Sequence, residues 1–147
     1  MAKPAHILLV EDNSMDIELT LDAFHEAKLL NTIYVVKSGL EALDYLLGKG
    51  KYSDRQEYPL PNLVLLDLKL PGIDGFEVLE KIKATPVLKR LPVVILTSSK
   101  EEGDRALSYD RGANSYLVKP VSFEGFLGMV REINGYWLSL NVARPEE

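Results

Sequence analysis

Five short apolar runs punctuate the chain: HILLV at 6–10, TIYVV at 32–36, LVLLD at 63–67, VVILT at 93–97 and, more weakly, SYLVK at 115–119. Each is continuous rather than alternating and rich in Val, Ile and Leu, the pattern of strands covered on both faces of a parallel sheet. Between them, apolar residues recur at helical spacing. Ile17, Leu21 and Phe24 share one expected helix face, Leu40, Leu43 and Leu47 a second, and Phe123, Phe126, Leu127, Val130 and Ile133 a third. Ser38 with Glu41, Asp74 with Glu77 and Ser99 with Glu102 have capping-box spacing, and Gly112 suits the end of a helix opened near Lys100. A strand-helix unit repeated five times with right-handed crossovers predicts an α/β domain: a doubly wound, five-stranded parallel sheet with helices on both faces. Ligands of such domains bind outside the carboxyl ends of the strands.

The polar stretch GKGKYSDRQEYPLP at 48–61 interrupts this rhythm and reads as a surface loop or a partner-binding loop. No linker divides the chain. A single domain is therefore expected over 1–147, with a core at about 5–138, a tail at 139–147 and no second folded module.

Composition narrows the classes. The 147 residues are 46% hydrophobic and 27% charged, which suits a globular domain. Cysteine is absent, so disulfides, thiolate metal sites and cysteine nucleophiles are excluded. A net charge of -5 argues against general nucleic-acid binding, which needs cations to neutralise phosphates. The apolar run before Glu11 is too short for a signal peptide or a membrane span, and a cytoplasmic protein is expected.

The first polar residues after the strands carry the candidate chemistry: Glu11 and Asp12, Asp67, Thr97 and Ser98, and Lys119. Singly, each has an ordinary explanation as a helix-end charge, a loop former or a surface group. Together they place three carboxylates in one crevice, where mutual repulsion calls for raised pKa values or a cation. Neither His6 nor His25 lies beside the acids, so the donors would be oxygens, which suits Mg²⁺ or Mn²⁺ better than zinc. Lys119 and the Thr97 hydroxyl add a charge and a donor fit for phosphoryl oxygens. A carboxylate beside a metal can act as the nucleophile, and Asp67 holds the central position.

LLVEDN at 8–13, LLDLKLPGIDG at 65–75, ILTSS at 95–99 and YLVKP at 116–120 resemble, in this order, the receiver domain of two-component response regulators. The resemblance implies a flavodoxin-like fold and a phosphorelay switch in which Asp67 accepts a phosphoryl group from a phosphohistidine on a sensor histidine kinase. It further implies that Asp12, Asp67 and the Lys69 main-chain carbonyl bind Mg²⁺, with Glu11 helping directly or through water. Thr97, Lys119 and the Ser98 amide would hold the phosphoryl oxygens, and Tyr116 matches the switch aromatic. Lys69 and Ser99 occupy positions that modulate the phosphate's lifetime. The face of the fourth helix, fifth strand and fifth helix would then change its arrangement, with protein contact as the output. Such a domain promotes its own phosphorylation and dephosphorylation and is not a turnover enzyme.

A narrower likeness, carried by YPLPNLVLLDLKLPGIDG, the polar loop and INGYWLSLNV, is to small receivers paired with bacterial and cyanobacterial phytochromes. The fifth helix is expected to run to about Leu138. Tyr136, Trp137, Leu138, Leu140 and Val142 form an apolar end that packs back on the domain or serves a dimer or kinase contact. Three rivals fit less well. A Mg²⁺-dependent phosphohydrolase would carry an acid where Lys69 stands, a flavin carrier would not place VEDN at its phosphate turn, and a never-phosphorylated module would not need the full set.

Overall fold

The computed structural model describes residues 5–138. Its main elements are β1 (His6–Val10), α1 (Ser14–Glu26), β2 (Thr32–Val36), α2 (Gly39–Leu47), β3 (Leu63–Leu66), α3 (Gly75–Ala84), β4 (Val93–Thr97), α4 (Glu102–Asp110), β5 (Ser115–Val118) and α5 (Phe123–Ile133). All five expected strands form. β3 and β5 stop one residue early, so Asp67 and Lys119 stand just past the sheet.

The strands are parallel in the order β2-β1-β3-β4-β5. From β1 the chain moves outward to β2 and then crosses back past β1 to β3, which opens the ligand crevice of a flavodoxin-like sheet at that reversal. Alternate residues of each strand serve opposite cores. Ile7 and Leu9 join Phe24 of α1 and Phe126, Val130 and Ile133 of α5. Leu8 and Val10 join Leu46 of α2 and Val78, Leu79 and Ile82 of α3. Both faces are covered, which explains why the strand sequences do not alternate. Burying each large apolar side chain contributes roughly 1.5–3 kcal/mol.

The expected helix faces are met only in part. In α2 the buried residues are Ala42, Tyr45 and Leu46, while Leu40 and Leu47 are exposed. Tyr45 takes the inward place because its ring packs with Tyr34, Tyr52 and Tyr58, and its hydroxyl donates to the Pro59 carbonyl at 2.9 Å. In α1, Ile17, Thr20, Ala23 and Phe24 point inward and Leu21 lies at the surface. Along α5, Phe126, Met129, Val130 and Ile133 are buried and Phe123 is exposed.

The 48–61 connection is folded onto the domain. The Arg55 guanidinium donates to the carbonyls of Tyr45 (2.8 Å) and Leu46 (2.7 Å) at the end of α2, and to that of Tyr58 (3.0 Å). It thereby adds a charged donor to carbonyls at the end of α2, of which that of Tyr45 also accepts from the Gly48 amide.

Caps form as expected at Ser38 and Asp74, whose side chains accept from the amides of Glu41 and Glu77. The third expected box does not form. α4 opens at Glu102 rather than near Lys100, because the Ser99 hydroxyl donates to Asp104 at 2.6 Å and its oxygen accepts from the Glu101 amide. Gly112 follows α4 at φ +100°, a conformation that only glycine adopts freely. A π-helical turn, Asn134–Leu138, carries α5 on to Leu138. Tyr136 is exposed; Leu140, Val142 and the rest of the tail, with the side chains of Trp137 and Leu138, lie outside the described residues.

Candidate functional site

Glu11, Asp67 and Lys119 sit where the ladder of hydrogen bonds runs one residue past a strand. The Glu11 amide donates to Val36 at 3.0 Å, that of Asp67 to Val10 at 3.1 Å, and that of Lys119 to Thr97 at 2.7 Å. The side chains therefore leave a rigid edge and point toward one crevice. Close packing beneath Asp67 depends on Gly75, whose amide donates to the Leu68 carbonyl at 2.8 Å. A Cβ on Gly75 would collide with the Asp67 carbonyl and lie 2.7 Å from the Leu68 Cα. The glycine that ends LLDLKLPGIDG thus lets α3 begin against the acceptor loop.

Glu11, Asp12 and Asp67 each offer a carboxylate oxygen, and these oxygens lie within 4.8 Å of one another. Glu11 and Asp67 are buried, Asp12 exposed. They line a cavity of about 620 Å³ together with Lys69, Ser98 and Lys119. The Lys119 ammonium, 7% exposed, contacts Glu11 at 2.5 Å, Asp16 at 2.8 Å and Asp67 at 2.9 Å.

Burial pushes the Glu11 carboxyl up to about 7; the charge of Asp67 adds to the rise and the hydrogen bond from Lys119 opposes it. Burial would depress the Lys119 ammonium, but hydrogen bonds to Asp16, Glu11 and Asp67 outweigh it and hold the group above its usual value. At the cavity the four carboxyl groups of Glu11, Asp12, Asp16 and Asp67 outnumber the Lys69 and Lys119 ammoniums, which favours surplus negative charge. A cluster of hard oxygens with that surplus suits a divalent cation.

The expected residues divide into two groups. Glu11, Asp12, Asp67, Lys69, Ser98 and Lys119 share the cavity, whereas Thr97 is fully buried off its wall. Thr97, Ser99 and Tyr116 form an adjoining chain: the Ser99 amide donates to the Thr97 hydroxyl oxygen over 3.4 Å, and the Tyr116 hydroxyl donates to the Ser99 carbonyl at 3.0 Å. Ser99 is buried with its hydroxyl on Asp104, while the Lys69 side chain is exposed and its amide makes a long 3.4 Å bond to Asp67. Asp16 was missed by sequence reasoning. Three residues past the cap Asn13, it reads as an ordinary first-turn acid, and nothing in local spacing signals a lysine 103 residues away.

Comparison with known proteins agrees with this geometry. The chain is 43% identical over 141 residues to the probable methanogenesis regulatory protein FilR2 of Methanothrix harundinacea, covering 94% of this chain and 86% of that protein. It is 41% identical over 135 residues to the response regulator Rcp1 of Synechocystis, covering 92% and 90%; the Mn²⁺-bound structure of Rcp1 superposes with a TM-score of 0.86. The phosphorylated cyanobacterial phytochrome response regulator RcpA superposes with a TM-score of 0.90 at 38% identity, covering 97% of this chain and 100% of RcpA. Residues 7–131 match the response regulator receiver domain. With its sheet order, acidic crevice and lysine in place, the chain belongs to the response regulator receiver family.

Proposed function

We propose that this chain is a phosphorylation switch whose acceptor is Asp67. The observation that carries this reading is the position of Asp67: a buried carboxylate just past the central strand, within reach of two further acids and of Lys119. A carboxylate oxygen of Asp67 attacks the phosphorus of a kinase phosphohistidine, the P–N bond breaks, and the imidazole leaves with a proton. Glu11, Asp12, Asp67 and the Lys69 main-chain carbonyl would hold Mg²⁺, or Mn²⁺ in its place, and the bound ion would supply neutralising charge to the transferring oxygens. The Lys119 ammonium and the Ser98 amide, which line the same cavity, bind those oxygens. Thr97 completes the set by turning its hydroxyl inward, since its 3.4 Å bond from Ser99 is a weak restraint.

That movement passes to Ser99 and through its carbonyl to Tyr116, so the surface of α4, β5 and α5 changes. Lys69, exposed at the cavity, and Ser99, tied to α4 through Asp104, set the lifetime of the acyl phosphate by governing approach of water. The protein turns over no free substrate; it works in the cytoplasm by contact with a downstream protein. Similarity to Rcp1 and RcpA supports a phytochrome-type histidine kinase as the donor.

Incubation with a small phosphodonor and Mg²⁺, followed by intact mass measurement, tests the reading. Wild type gains one phosphoryl group and Asp67→Asn gains none; chelation of the metal abolishes the gain. Equal labelling of Asp67→Asn sinks the proposal.

A further inference from the structure

The acidic crevice contains one carboxylate that the switch chemistry leaves unassigned. Asp16 lies on the first turn of α1, and its Oδ2 accepts from the Lys119 Nζ at 2.8 Å. An acid at this helix position ordinarily reaches back to the amide of the cap residue. Here the Asn13 amide donates instead to Glu11 Oε2 at 3.1 Å, and the Asp16 amide donates to the Asn13 side chain at 3.0 Å. The capping work is done without the Asp16 carboxylate, which is left for the lysine.

Three carboxylates surround the three donors of the Lys119 ammonium: Asp16 and Asp67 accept hydrogen bonds, and Glu11 lies in ion-pair contact at 2.5 Å. Two of these acceptors have a second task, because Glu11 and Asp67 belong to the proposed metal cluster. An oxygen that serves a divalent cation gives less to an ammonium. With 7% exposure Lys119 finds little water to replace what it loses, and a buried ammonium short of acceptors is costly. Asp16 lies outside the cluster and is the most exposed of the three, so it can keep its hold throughout.

We infer that Asp16 is a positioning residue that anchors Lys119 while Glu11 and Asp67 serve the metal and the phosphoryl group. The inference rests on the metal site proposed above. Without Asp16 the ammonium stays on the two metal carboxylates and competes with the cation.

Calorimetric titration with Mg²⁺ alone tests this without phosphorylation. Asp16→Asn is expected to weaken Mg²⁺ binding about fivefold, whereas in a Lys119→Met background the same change weakens it less than about twofold. Asp22→Asn, which removes a charge from the exposed side of the same helix, binds as wild type. Because Lys119→Met could unfold a protein with these buried acids, the Lys119 ammonium signal in nitrogen-edited spectra gives a second readout. With Mg²⁺ bound, the signal stays protected from solvent exchange in wild type and loses protection in Asp16→Asn. Unchanged affinity and protection in Asp16→Asn, or an equal loss in both lysine backgrounds, overturns the inference. Failure of wild type to bind Mg²⁺ sinks the metal site itself and is read directly from the reference titration.

Discussion

α5 and α4 flank the last strands of the same sheet, yet they are held by different forces. α5 buries Phe126, Met129, Val130 and Ile133 against α1 and the sheet. α4 buries Ser108, and its visible ties to the rest of the domain are polar: Ser99 to Asp104 at 2.6 Å, and Arg111 to Glu80 at 2.8 Å. Apolar burial is non-directional and worth several kcal/mol per helix, so α5 is part of the frame. Polar bonds trade with water at about 1 kcal/mol each, so α4 can be re-seated at low cost. A switch needs both: a fixed edge that holds Asp67 and Lys119, and a neighbour that moves.

The largest test of this contrast is Phe126→Ala, which opens a cavity in the α1-α5 core. It should cost about 3–5 kcal/mol in urea unfolding. A cost below 1 kcal/mol would break the comparison by showing that α5 carries no more than α4. Next comes Ser99→Ala, which removes the bond to Asp104. Global stability should fall by about 1 kcal/mol. If α4 opens independently, its amides should exchange well before those of α5 in wild type, and Ser99→Ala should speed them about fivefold. Protection of α4 equal to that of α5 in wild type would mean that α4 is no separate unit. Smallest is Arg111→Ala, which breaks a largely exposed ion pair with Glu80 and should change stability by less than about 0.5 kcal/mol in the same titration.

What the sequence revealed follows from which signals are local. Continuous apolar runs marked all five strands, because a sheet covered on both faces leaves no polar register to obscure them. The residues ending those runs were visible for the same reason, and the cavity gathers Glu11, Asp12, Asp67, Ser98 and Lys119. Helix faces were less legible. Tyr45 turns α2 inward only because Tyr34, Tyr52, Tyr58 and the Pro59 carbonyl receive it, partners set by tertiary structure. α4 was placed two residues early because Ser99 has the composition of a cap, while its hydroxyl finds a stronger acceptor in Asp104. Asp16 gave no sign at all; its partner arrives from the far end of the chain.

The central claim is that Asp67 forms the acyl phosphate. Acyl phosphates are reduced by borohydride to the corresponding alcohol, so treating the phosphorylated protein converts the acceptor aspartate into homoserine. Peptide mass spectrometry should find homoserine at position 67, only after incubation with phosphodonor and Mg²⁺. Reduction to the alcohol at another acid of the crevice, or phosphate retained on a hydroxyl after reduction, would contradict it.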